Sequence, residues 1–334
     1  MKAALLFGKG DVRVEDVETP VPKSNEVKIK IKACGICHYD LRFYNGSKKT
    51  DKPVVLGHEC SGTIEEVGLD VFELKVGDRV AVSTDIPCGH CRYCMSGRTN
   101  FCTNRKTTDG GFAEYKVIPA GQVFRFSENT SFQEACLTEP LACCLNGNLR
   151  AGIHSDSCVA VVGVGPIGLL HVQLARLFGA YKVIAIDPIA ARREKALELG
   201  AHEGVDPAAA DPVREIMRLT DGFGVDAVIV AVENIGAVEQ GIKMVGKRGV
   251  VVVFAGFHPS KGVVVDTNLL HYSEISITGS SDFPAPLFPR ALTLIDSHRV
   301  QMKPIISHSF SLEQINEGFK TALTGQGLKT IITP

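Results

Sequence analysis

The spacing of apolar and polar positions divides the chain into two kinds of pattern. Over roughly the first 145 residues, short apolar stretches alternate with period two between turn residues: Lys2 to Phe7, Glu26 to Ala33 with its Val-x-Ile-x-Ile alternation, Gly62 to Val67, Arg79 to Val82 and Ala113 to Ile118. Lys75-Val76-Gly77-Asp78-Arg79 reads as a tight turn feeding one of these strands. The pattern predicts a compact, mainly antiparallel barrel whose loops carry function.

From Ser157 the pattern becomes strand, glycine turn, helix. Cys158 to Val162 predicts a buried strand, Leu169 to Phe178 a helix closed by Gly179, and Lys182 to Ile186 a second strand. Ala190 to Leu199 predicts a helix stopped by Gly200, and Asp211-Pro212 opens another with proline at its first position. Val225 to Val232, Gly249 to Ala255 and Ile275 to Gly279 continue as strands, with a helix over Ala237 to Val245. Repeated units of this kind predict a parallel, doubly wound sheet with its ligand at the carboxyl edge. After about residue 280 the chain is expected to return to the first domain, with a capped helix over Ser311 to Leu323 and a closing strand over Lys329 to Thr333. The fold class is α/β, with domains at 1–145 plus 280–334 and at 146–279.

A length of 334 residues exceeds the roughly 250 to 300 at which one hydrophobic core stops growing, in keeping with two domains. A net charge of -1 gives no electrostatic basis for a nucleic-acid or membrane partner, so the expected partner is a small molecule. The opening Met1 to Phe7 stretch is broken at once by Gly8 and charges, too short for a signal-peptide core, and a cytoplasmic protein is expected. Eleven cysteines, odd in number and unevenly clustered, favour reduced thiols or metal ligands over disulfides.

Spacing then picks out the chemistry. Cys88-Gly89-His90-Cys91-Arg92-Tyr93-Cys94, with Cys102 just beyond, places four thiolates on one polar loop, the donor set of a closed structural zinc site. Cys34 to Glu59 gathers Cys37 and the run Gly57-His58-Glu59; thiolate, imidazole and carboxylate suit a catalytic zinc with one position left open. Gly163-Val164-Gly165-Pro166-Ile167-Gly168 follows a strand, opens a helix and is followed by Asp187 at the end of the next strand, the context in which such a turn binds a dinucleotide. The glycines let the backbone approach a pyrophosphate, while Asp187 accepts from a ribose diol and repels a 2'-phosphate, so NAD is expected over NADP. Arg192 and Arg193 lie close by and weaken that preference, though both also suit a solvated first helical turn.

The motifs Gly35-Ile36-Cys37-x-x-Asp40, Gly57-His58-Glu59, the four-cysteine loop, Glu139-Pro140-Leu141 and the glycine turn, in this order, resemble the zinc-dependent medium-chain dehydrogenases. The resemblance spans nearly the whole chain. It implies a GroES-like catalytic domain interrupted by a Rossmann domain, two zinc ions per chain, a nicotinamide cofactor and a homodimer or homotetramer, with Val263 to Asp266 and Ile275 to Thr278 as candidate pairing segments. Cys37 and His58 are implied zinc ligands, and Glu59 a ligand or a close carboxylate neighbour. Glu139, where simple alcohol dehydrogenases carry cysteine, is similar to the sorbitol- and threonine-dehydrogenase-like branch.

The implied activity is hydride transfer from a secondary alcohol of a polyol, sugar or sugar acid to NAD, reversible with the ketone. The alternatives are a threonine or amino-alcohol dehydrogenase and a simple secondary-alcohol dehydrogenase. Relatives place a Ser or Thr and often a His in the proton relay where this chain has Tyr39 and Arg42; Tyr39 can serve as a relay, whereas Arg42 fits a charge for substrate or cofactor. His38 is implied near the cofactor phosphates. Lys329, also assigned to the cofactor, is expected to pair with Asp40.

Overall fold

The computed structural model describes all 334 residues. The chain separates into two units, Met1–Pro140 with Pro284–Pro334, and Leu141–Phe283. The expected boundaries lay near 145 and 280; the first division falls inside the helix Thr138–Ala151, where no change of composition marks it.

The first unit is organised on the strand Glu26–Gly35. Its alternating Val27, Ile29 and Ile31 are fully buried, as the period of two requires. It pairs antiparallel with Glu59–Val67 and with Tyr115–Pro119, and at its end with Lys329–Thr333. Arg79–Val82 and Val123–Arg125 extend the sheet on one side, and Ile306–Ser311, parallel to Lys329–Thr333, extends it on the other. Phe112, Ile64, Ile118 and Phe319 close the core around it. A three-stranded sheet adds Asp11–Asp16, Lys2–Gly8 and Val54–Val55.

The second unit carries a six-stranded parallel sheet in the order Glu203–Val205, Lys182–Ile186, Cys158–Val162, Val225–Val230, Val245–Val253, Ser276–Gly279. This is the doubly wound order in which connections reverse direction at the first strand. Cys158–Val162 is buried along its whole length, because helices cover both faces of such a sheet. The ligand-binding crevice of this topology lies at the carboxyl end of that strand, where the glycine turn begins.

Several elements differ from expectation. The helix after the glycine turn starts at Pro166, not Leu169: proline at its first position lacks an N–H that would go unpaired there anyway. The segment from Ser311 opens as a 3-10 turn, Leu312–Gln314, before the helix Ile315–Thr324. Val263 to Asp266 leads into the helix Thr267–Ser273, with Asp266 as its N-cap, and is not a strand; Ser276–Gly279 is the sheet edge. No helix is long and apolar enough to cross a membrane.

The two segments of the first unit are joined by Asp296, which accepts from Ser127 N at 3.0 Å, Ser127 Oγ at 2.7 Å and Thr130 Oγ1 at 2.8 Å. Burial alone would raise its pKa, but these hydrogen bonds outweigh it and hold the carboxyl below its ordinary value. A depressed carboxyl stabilises above its unfolded pKa and loses that contribution as pH falls through the folded one. Asp296→Ala is therefore expected to lower stability by about 1 kcal/mol at pH 7, with the gap from wild type closing below about pH 4, as read by denaturant unfolding across pH.

Candidate zinc and nucleotide sites

Cys37 sits where the strand Glu26–Gly35 gives way to the helix His38–Tyr44, in extended conformation as its N-cap. Its N–H donates to Asp40 Oδ2 at 2.9 Å, which fixes the turn that presents the thiol. Across the sheet Gly35 stands opposite Glu59. Gly57, at φ 93°, turns the chain into that partner strand; a Cβ there would lie 2.8 Å from Cys34 Sγ and 2.9 Å from Phe112 N, so conformation and space both require glycine. Donor atoms of Cys37, His58 and Glu59 consequently lie within 4.8 Å of one another. One thiolate, one imidazole and one carboxylate at this separation fit zinc with a position left over.

Glu59 is almost fully buried, and Lys329 Nζ meets its two oxygens at 2.7 and 2.6 Å. The pair passes over Gly35, where any Cβ would overlap Glu59 Oε2 and lie 3.0 Å from Lys329 Cε. The expected partner of Lys329 was Asp40, and the register explains the correction: Gly35 pairs with Ile331 on one side and Glu59 on the other. Lys329, two residues before Ile331 and on the same face, is thereby aimed at Glu59. Its ammonium is buried and committed to that carboxylate.

Asp40 instead backs His58. His58 Nδ1 lies 3.7 Å from Asp40 Oδ1 and 3.8 Å from Asp109 Oδ1. Burial opposes protonation of His58, yet Asp40, Cys37 and Glu139 together raise its pKa well above the ordinary value. Asp40 is itself pushed up to about 6 by burial. An imidazole backed by carboxylate at one nitrogen offers the other to a metal in a fixed orientation. Asp109 was not anticipated; the buried Lys116 holds it by donating to the carbonyl oxygens of Thr108 and Asp109.

Glu139 is half-buried in the first turn of Thr138–Ala151. It is near enough to raise the His58 pKa but stands outside the tight group of three donors. Tyr39 packs edge-on to His58, ring centroids 5.6 Å apart, and its hydroxyl accepts from Lys48 Nζ at 2.8 Å, a partner that sequence spacing did not indicate. His38 opens the same helix and is exposed.

The four-cysteine loop also forms as expected, with Cys88, Cys91, Cys94 and Cys102 sulfurs within 4.8 Å of one another. All eleven cysteines are free of disulfides. The Cys94 and Thr103 N–H groups draw the Cys91 thiol down to about 5, whereas desolvation pushes Cys94 up to about 12. Four sulfurs this close do not all ionise without a cation among them, and tetrahedral zinc is the ion that such a set takes.

In the second unit each glycine of the turn has its own reason. Gly163 takes φ 83°, and a Cβ there would lie 2.9 Å from Val232 Cβ. Gly168 packs against the Gly163 carbonyl with no room for a side chain. A Cβ on Gly165 would meet only Arg192 Nη1, at 3.9 Å, so the space above it is open beside the first turn of Pro166–Leu177, where Pro166 and Ile167 stand. That cradle fits a pyrophosphate. Asp187 accepts from Val164 N at 3.0 Å and Ile189 N at 2.9 Å, and Arg192 Nη1 lies 3.9 Å from its Oδ2.

Fold and sites together define a zinc-dependent dehydrogenase with a metal-bearing unit and a dinucleotide-binding unit. Residues 23–128 match the alcohol dehydrogenase GroES-like domain and residues 166–297 the zinc-binding dehydrogenase domain. The chain is 33% identical to the sorbitol dehydrogenase of Halalkalibacterium halodurans, over 98% of this chain and 97% of the relative. It is 34% identical to the L-threonine 3-dehydrogenase of Pyrococcus horikoshii, over 95% and 93%. A structure described as a zinc-binding dehydrogenase from Sinorhizobium meliloti bound to NADP superposes with TM-score 0.95 at 34% identity, covering 100% of this chain and 99% of that one. The chain belongs to the zinc-dependent medium-chain dehydrogenases.

Gly35→Ala is expected to push Glu59 off Lys329 and to lose one metal equivalent per chain relative to wild type, with the four-cysteine site retaining its own. Metal analysis of the purified variant checks this; an unchanged metal content contradicts the role given to Gly35.

Proposed function

We propose that this enzyme oxidises a secondary alcohol of a polyol, sugar or sugar acid with NAD, and reduces the matching ketone in reverse. The observation that carries the reading is the Cys37, His58 and Glu59 donor set with a carboxylate, Glu139, close by in place of a second thiolate. Oxygen donors suit a metal that must accommodate incoming substrate oxygens. The similarity to a sorbitol dehydrogenase supports it. The second reading, an L-threonine or amino-alcohol dehydrogenase, draws on an equally similar relative.

Zinc held in this site would supply Lewis acidity toward a substrate hydroxyl, and a nicotinamide cofactor would supply the hydride acceptor. Cys37, His58 and Glu59 would hold the metal, with Glu59 oriented by Lys329 and Asp40 lying behind His58. Glu139 would serve as a further carboxylate beside the metal donors. The Tyr39 oxygen accepts from Lys48, which leaves its own hydrogen to be donated elsewhere, and Tyr39 moves the substrate proton outward. Asp187, at the end of its strand, selects a ribose diol; Arg192 at 3.9 Å from Asp187 and the NADP-bound relative favour NADP as the second cofactor reading. His38 is assigned to the cofactor phosphates. The enzyme is assigned as a homodimer or homotetramer.

The test is a turnover screen of zinc-replete enzyme with polyols, aldonates, threonine and short alkyl alcohols against NAD and NADP. Polyols or aldonates with NAD are expected to give the highest kcat/KM; activity confined to threonine or alkyl alcohols overturns the substrate class. Tyr39→Phe is expected to lower kcat by about 10² and to flatten its pH dependence at wild-type zinc content. A wild-type kcat in that variant sinks the relay.

A further inference from the structure

Beside the metal donors the chain places positive charge with no carboxylate to answer it. Residues 42 to 52 carry Arg42, Lys48, Lys49 and Lys52 against Asp51 alone. Lys48 is half-buried, and its Nζ lies over the rings of Tyr39 and Phe43 at 4.1 and 4.7 Å while donating to Tyr39 Oη. It forms no ion pair, either with Asp51 three residues on or with Asp40, which is buried beside His58. Arg42, also half-buried and likewise without an ion pair, has its Nε enclosed with no hydrogen-bond partner, and its backbone carbonyl accepts from Lys48 N at 2.8 Å.

A half-buried ammonium and a guanidinium with a buried unpaired N–H carry a desolvation cost that an arriving anion relieves. The position of Lys48 is set by Tyr39, whose ring lies 5.6 Å from that of His58. Lys48 Nζ is thus no farther from the His58 ring than the two centroid distances laid end to end, the span of a short carbon chain.

We propose that Lys48 forms an anion subsite of the active centre, so that the substrate is a hydroxylated compound bearing a carboxylate or phosphate on the same carbon chain as the oxidised carbinol. This rests on the secondary-alcohol reading and narrows it from neutral polyols to their acids or phosphate esters. Lys48 supplies a point charge to that carboxylate or phosphate.

The experiment is calorimetric binding of sorbitol, gluconate and sorbitol 6-phosphate to the zinc-loaded full-length protein with NADH present, for wild type, Lys48→Met and Lys48→Arg. One of the two anions is expected to bind at least tenfold more tightly than sorbitol, with the advantage shrinking as salt rises; which anion wins separates carboxylate from phosphate. In Lys48→Met the ratio of anion to sorbitol affinity should fall to about one, and Lys48→Arg should restore most of it. Equal affinities in the wild type, or a preference that survives Lys48→Met, overturn the subsite and leave Lys48 as packing for Tyr39. Selective anion binding without turnover of any alcohol would uphold the subsite while failing the dehydrogenase substrate reading.

Discussion

The ion pair between Glu59 and Lys329 is the constraint on which the metal-bearing unit depends. It joins residues 270 positions apart in surroundings that exclude water, and removing either partner would strand a buried charge at a cost of about 3–5 kcal/mol. Such a pair contributes less to net stability than to geometry: a Glu59 free to rotate would present its oxygens to the metal in several ways, whereas Lys329 holds both. The pair exists because Gly35 has no side chain and because two registers, on either side of one strand, place Glu59 and Lys329 across the same residue. The last strand of the chain thereby becomes part of the zinc site.

A second layer of charge surrounds His58. Two carboxylates lie within 4 Å of its Nδ1, one sealed in the core and one partly open to solvent, so the field behind the ring is negative on that side. Asp109 owes its place to Lys116, a buried cation that pairs with no carboxylate and instead ties down two successive carbonyls of the loop. The sheet strand that carries Lys116 is thus linked through that loop to the imidazole, and the electrostatics of the site are assembled by strands distant in sequence. In the second unit the logic is steric: three glycines serve a left-handed turn, an open cradle and a close helix contact, and Asp187 stitches the turn to the strand beside it.

Much of this was legible in the sequence because it is local. The four-cysteine loop and the glycine turn are short segments whose spacing forces their geometry, and the alternating and strand-helix patterns follow from which faces must be buried. The donors Cys37, His58 and Glu59 were likewise readable, since His58 and Glu59 are adjacent and Cys37 lies two residues past the strand that pairs with the one Glu59 opens. Only tertiary structure decided the partners. Lys329 reaches Glu59 and not Asp40 because register is set by the packing of whole strands, and a composition or spacing rule carries no information about which residues face each other across them. Lys48 on Tyr39, Asp109 behind His58 and Lys116 beneath Asp109 come from loops and strands brought together only in the folded unit. The chain determined its family and its metal donors locally; the charges that orient those donors, and the cations beside Tyr39, were decided by long-range pairing.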